Sequence, residues 1–193
     1  MRRLILQVAN ALYADLCAAT TPAMVRWAQL NQWEHELVLI PDHLNFGQER
    51  YRAAVERLRQ FDLVLYLDVD IVPQKTADLV FEGHKDVYIS VDYNGWCCGA
   101  FALRATHWAR WFAETMADRI PFTQTHRTQD QDILKAFIRQ PEVGPQVGRI
   151  EESQIGNPKT MVDGSTLFHI WANKNLDDTV RRARELLAAN FAV

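Results

Sequence analysis

The sequence is short of cysteine, of unbroken apolar runs and of excess charge of either sign. Its three cysteines are an odd number, two of them adjacent at Cys97 and Cys98. That count and spacing exclude a disulfide framework and a thiolate zinc site. A reducing compartment is therefore expected, with the cytoplasm as the default. No apolar run approaches the roughly 18 residues of a membrane span, which leaves only peripheral contact with a bilayer. The start, MRRLILQVANALYADLCAA, has the outline of a signal peptide, but Gln7, Asn10 and Asp15 interrupt its apolar stretch. It reads as a first strand instead. Net charge is −3, from 21 basic and 24 acidic side chains interspersed along the chain. Without a basic stripe to neutralise phosphates, nucleic acid is excluded as the main partner. Internal repeats, low-complexity tracts and interdomain linkers are also missing, so residues 1–193 read as a single domain.

What is present is a core and an alternation. The 48% hydrophobic share of 193 residues supplies a sizeable interior. Leu4 to Ala9 reads as a buried strand, and Thr21-Pro22 as the start of a helix over Ala23 to Leu30. A second strand, Glu36 to Ile40, stops at Pro41, and Tyr51, Val55 and Leu58 give Gln48 to Gln60 a helical face. Phe61 to Leu67 (FDLVLYL) is a near-continuous apolar run suited to a central strand covered on both faces. Strands over Asp86 to Val91 and Ala100 to Arg104 follow, then helices over Thr106 to Arg119 and Thr128 to Ile138. Pro141 to Pro158, with three of the seven prolines, reads as loop. A last strand, Thr166 to Ile170, and a helix, Leu176 to Ala189, close the chain. The alternation predicts a three-layer α/β/α sandwich with a mainly parallel mixed sheet.

Ligands of such sheets sit outside the carboxyl ends of the strands, where FDLVLYL delivers Asp68-Val69-Asp70. Residues two apart in extended chain point the same way, so both carboxylates can converge on a hard cation with Val69 turned aside. A solvated strand-end turn has the same sequence pattern. His169, at the end of the last predicted strand, offers an imidazole, and a mixed nitrogen and oxygen shell suits Mn²⁺ better than Ca²⁺. Packing between Phe168 and Trp171 is the alternative for that histidine. Lys174, five residues on, suits a diphosphate or an exposed surface position equally.

The stretch RAAVERLRQFDLVLYLDVDIVP, Arg52 to Pro73, resembles the segment of glycosyltransferase family 8, the glycogenin-like and galactosyltransferase-like enzymes, that leads into their metal-binding Asp-x-Asp. LQVANALYADL is similar to that family's first strand and loop, TQDQDIL to its Asp-Gln pair before a helix, and FHIWANK to its closing motif. The landmarks occur in family order over residues 4 to 174. The resemblance implies a GT-A fold and transfer of a sugar from a nucleotide-diphosphate donor, UDP-sugar foremost, with retention of configuration. A glycan, a lipid-linked group or a protein would be the acceptor. It implies Mn²⁺ or Mg²⁺ on Asp68, Asp70 and His169. Donor binding would fall to Ala9, Asn10, Tyr13, Arg52, Val69 and Lys174, with Asn10 and Tyr13 at the base and Arg52 as the cation preceding the strand. Asp92, Asp130 and Gln131 would orient the sugar and the acceptor hydroxyl. Cys97-Cys98-Gly99 stands where the family usually has Asn-x-Gly, which removes one expected hydrogen bond to the donor sugar. Ala172 stands where the closing motif usually has Gly.

Two rival readings use the same residues. DVDIV also fits the nucleophile motif of haloacid dehalogenase-type phosphatases, although that motif belongs near the amino end and wants a downstream Gly-Asp cluster where this chain has Asp163-Gly164. A non-catalytic nucleotide-sugar-binding module is the other, motivated by the short acceptor region and by Cys97.

Overall fold

In a computed structural model the chain is described over residues 1–121, 129–159, 165–170 and 175–191. Strand β1 (Arg3–Ala9) leads through a 3-10 turn into helix α1 (Ala14–Leu30), followed by β2 (Glu34–Leu39), α2 (Phe46–Arg57) and β3 (Leu63–Leu67). Then come β4 (Ile71–Pro73), β5 (Val87–Asp92), β6 (Gly95–Arg104), α3 (His107–Arg119) and α4 (Gln129–Ile138). The chain closes with β7 (Val147–Ile150), β8 (Ile155–Gly156), β9 (Leu167–His169) and α5 (Leu176–Asn190). Among these residues a six-stranded sheet has the order β2-β1-β3-β6-β5-β7, and a small one the order β4-β9-β8. Every strand of the large sheet runs the same way except β6, which is antiparallel to both β3 and β5.

Alternating side chains divide the apolar surface into two layers. Ile5, Leu63, Leu65 and Leu67 face α1 and α5, meeting Met24, Trp27, Ala28, Val180 and Leu187. Leu4, Leu6, Val64 and Tyr66 face the other way, towards Tyr51 and Ala54 of α2, Phe112 and Met116 of α3, and Phe137 of α4. Each such side chain, fully removed from water, contributes ~1.5–3 kcal/mol. Because both faces are covered, β3 is buried at all five positions, as its unbroken apolar run requires. The three-layer α/β/α arrangement with a mixed, mainly parallel sheet is the one the alternation predicts. All three cysteines are buried and free, and no helix among the described residues is long and apolar enough to cross a membrane.

Two expectations change and one strand is added. Helix α1 begins at Ala14, not Ala23, with Pro22 inside it. Burial of Leu16, Cys17 and Thr20 holds the extra turns, outweighing the one backbone donor that proline lacks. The segment after Pro141, expected as loop, contains β7 and β8. Ile71–Pro73, directly after the Asp triplet, is a strand that pairs with β9.

Candidate functional site

Asp68 leaves the end of β3 with its N–H donated to the Gly99 carbonyl of β6 at 2.8 Å. The chain then turns at once, Ile71 N–H donating to the Asp68 carbonyl at 3.0 Å. The triplet is thus a tight turn, not the extended segment expected, and it is the turn that brings the carboxylates together while Val69 joins the core. Gln7, buried within β1, supports it by donating its amide to the Asp68 carbonyl at 3.4 Å, and itself meets His35 of β2 at 3.0 Å. Pairing of β4 with β9 sets His169 opposite Ile71. Its Nε2 comes within 3.2 Å of Asp70 Oδ1. One ligand atom from each of Asp68, Asp70 and His169 lies within 4.8 Å of the others, at the carboxyl end of β3. Two carboxylates and one imidazole at this spacing fit a single Mn²⁺ or Mg²⁺.

The electrostatics suit a cation. Burial pushes the Asp68 carboxyl above its ordinary value even though the Arg50 guanidinium opposes it. For His169, burial pulls the ring down, but the Asp70 carboxylate overrides it and holds the imidazole well above its usual value. Both shifts arise from negative charge and low polarity crowded into one place, which a divalent ion would relieve.

Arg50 is the residue that sequence reasoning missed. It is 3% exposed, and reaches Asp68 Oδ1 at 3.6 Å, the Cys98 carbonyl at 3.1 Å and the Asp130 carboxylate. Tyr66 donates its hydroxyl to the same Asp68 oxygen at 2.6 Å. Arg52, expected as the site's cation, lies elsewhere: half exposed, it pairs with Glu49 at 2.7 Å along its own helix. The signal was available in the helical period, since Arg50 falls four residues after Phe46 and four before the buried Ala54, whereas Arg52 falls outside that stripe. Asp130 opens α4 and is buried, so it is more than an exposed charge at a helix start. Its Oδ1 accepts the Gln131 N–H at 2.8 Å.

Other expected residues line the same end of the sheet. Ala9 closes β1, and its carbonyl accepts the Ile40 N–H at 2.8 Å. Asn10 follows, its Oδ1 buried with no hydrogen-bond partner among the described residues, and Tyr13 is half-buried against the α1 layer. Asp92 ends β5, parallel to β3, and accepts the Asn94 N–H at 2.7 Å within the β5–β6 hairpin. Lys174 lies outside the described residues. Gly99 was noted in sequence only as part of a variant motif. A Cβ there would lie 2.8 Å from His169 Cε1 and 2.9 Å from Asp68 Oδ2, so only glycine leaves the cluster its room.

No family model matches the sequence, and no curated protein matches it. Solved structures do. A glycosyltransferase involved in glycosylation of the major capsid of PBCV-1 superposes with a TM-score of 0.70 at 10% identity, over 96% of this chain and 100% of that one. The glycosyltransferase GlyE of Streptococcus pneumoniae TIGR4 gives 0.63 at 14% identity, all of this chain matching 64% of GlyE. A mutant of Drosophila β1,4-galactosyltransferase 7, crystallised with manganese, UDP-Gal and xylobiose, gives 0.54 at 16% identity over 94% of this chain and 80% of that one. At such identities the likeness speaks for the fold, and the fold is the GT-A sandwich of these glycosyltransferases.

Proposed function

We propose that the chain is a metal-dependent glycosyltransferase that moves a sugar from a nucleotide-diphosphate donor, UDP-sugar foremost, to a hydroxyl of a glycan, lipid-linked or protein acceptor. The observation that carries this reading is the convergence of Asp68, Asp70 and His169 at the ligand-binding end of a GT-A sheet. These three side chains would hold Mn²⁺ or Mg²⁺. The ion, when bound, supplies positive charge to a leaving diphosphate. Arg50 reaches both the Asp68 and the Asp130 carboxylates, opposes the effect of burial on Asp68, and ties the metal half of the site to the α4 half. Asp130 and Gln131 would then orient the donor sugar, and Asp92 the acceptor hydroxyl, with retention of configuration as the family resemblance implies. Asn10 and Tyr13 would border the base, the buried Asn10 Oδ1, without a hydrogen-bond partner among the described residues, offering an acceptor to a ring N–H. Val69 and Ala9 would contribute through backbone, and Lys174 through its charge. Free buried cysteines support a reducing, cytoplasmic setting.

A thermal-shift screen of nucleotide diphosphates with and without Mn²⁺ tests the reading. A ligand at a hundred times its Kd stabilises the fold by about 2.7 kcal/mol, so UDP with Mn²⁺ should raise Tm while UDP alone should not. Asp70→Asn should fold and lose that shift. Absence of a shift with every nucleotide, or an Asp70→Asn variant that responds like the parent, would count against it.

A further inference from the structure

We propose that Tyr66 is a positioning residue for Asp68: its hydroxyl occupies Oδ1, so that the carboxylate meets an ion through Oδ2 alone and the site favours Mn²⁺ or Mg²⁺ over Ca²⁺. This rests on the metal reading above. Three observations carry it. The Tyr66 hydroxyl donates to Asp68 Oδ1 at 2.6 Å, and the Arg50 guanidinium stands 3.6 Å from the same oxygen. The other oxygen faces the ligand cluster, because a Cβ at Gly99 would lie 2.9 Å from Asp68 Oδ2 and 2.8 Å from His169 Cε1. The Tyr66 ring, finally, has no room to withdraw. It is fully buried, opposite Phe101 in the β3–β6 pairing and stacked on it with centroids 4.9 Å apart, while Phe101 stacks in turn on Tyr51 at 4.7 Å.

The hydroxyl is the one polar side-chain atom of β3, and it is aimed at Asp68. Phenylalanine would fill the same space in the core, so packing does not explain it. A neutral tyrosine has a single proton to donate, and a short bond to a carboxylate oxygen is of the strong, charge-assisted kind. Ca²⁺ gathers about six to eight oxygens and can take both from one carboxylate, whereas Mg²⁺ wants near-ideal octahedral geometry at shorter distances. Holding Oδ1 therefore withholds from Ca²⁺ a ligand that the smaller ions do not use.

Mn²⁺ titration followed by electron paramagnetic resonance, with Ca²⁺ affinity read from its displacement of Mn²⁺, tests this without turnover. Tyr66→Phe keeps the ring and should weaken Mn²⁺ binding about 10–100-fold, the usual range for loss of a partner that orients a ligand. Ca²⁺, free to take both Asp68 oxygens, should lose far less, so the preference for Mn²⁺ falls by a similar factor. Phe101→Leu, which removes a stacked ring but no hydrogen bond to the site, should lower Tm and keep the parent's preference. In protein carrying carbon-13 tyrosine, the Tyr66 hydroxyl proton should remain a slowly exchanging resonance after Mg²⁺ is added. A parent that binds no Mn²⁺ overturns the metal reading and this inference with it. A parent that binds, beside a Tyr66→Phe variant of unchanged preference, overturns the Tyr66 assignment alone. So does a parent that holds Ca²⁺ as tightly as Mn²⁺, or one whose hydroxyl resonance is lost on Mg²⁺ binding. An equal fall in preference in the Phe101 variant assigns the effect to packing and overturns the hydroxyl's role.

Discussion

Two arginines two residues apart on α2 show how differently the same side chain behaves in two settings. Arg52 and Glu49 form a surface pair, worth ~0–1 kcal/mol. Arg52→Ala should therefore leave both Tm and Mn²⁺-dependent UDP binding close to the parent's. Arg50 is enclosed with two carboxylates, and removing one partner of a buried ion pair costs ~3–5 kcal/mol because the others stay charged and unpaired. Arg50→Met should unfold at much lower denaturant, and a chemical denaturation series compares the pair; similar midpoints would contradict this account of Arg50. The triplet and His169 were legible in sequence because strand ends and motif order point to them. Arg50 was not, since the motif spacing drew attention to the neighbouring basic residue and only packing distinguishes the two. Gly99 is a third case. Gly99→Ala drives a methyl against His169 and Asp68, and forced overpacking costs ~1–3 kcal/mol. A calorimetric titration should find Mn²⁺ binding lost or severely weakened in that variant while its circular dichroism stays native; intact binding would mean that the cluster has slack.

At the scale of elements, the strands that bury both faces were the readable ones, and the errors fell where one local signal was outvoted. Pro22 marked a helix start, yet apolar positions at Leu16 and Cys17 extend α1 backwards. Gly148 and three nearby prolines marked a loop, yet Gly148 is needed within β7, where a Cβ would overlap the Tyr88 ring of the partner strand β5. Strand β2 carries a consequence for pH. Burial pushes His35 below its ordinary 6.5, with Glu36 only partly opposing it, so the folded state prefers the neutral ring. Its stabilising contribution is complete above pH 6.5 and is lost as pH falls through the depressed folded value. Tm should decline from pH 7 towards pH 5, and His35→Gln, which cannot titrate, should flatten the slope. An identical slope in that variant would assign the decline to other groups.

The whole molecule is two apolar layers sharing one sheet, so neither layer has a floor without the strands of the other. We expect residues 1–193 to unfold as one cooperative unit. Trp27 and Trp33 report on the α1 layer, and Trp96 and Trp108 on the α2–α3 layer. Tryptophan emission and backbone circular dichroism should give superimposable denaturation curves; two separated transitions would divide the chain into independent units. The three-layer architecture was legible because periodicity survives averaging over many residues, whereas the antiparallel run of β6 was not, since nothing in a strand's composition states its direction.

The small sheet gives the site a topological role. Asp70 and His169 stand about a hundred residues apart in the chain, a span over which a covalent link would remove ~4.7 kcal/mol of freedom from the unfolded state. Strands β4 and β9 are joined by only three residue pairs, and β8 adds two more. An ion gripped by both ends would act as a reversible clasp across that gap, with the free metal concentration setting how firmly it closes. Amides of Val72 and Phe168 should then exchange more slowly with Mn²⁺ and UDP present while those of Val64 to Leu67 hold steady; unchanged protection at Val72 and Phe168 would show that the small sheet closes without the clasp.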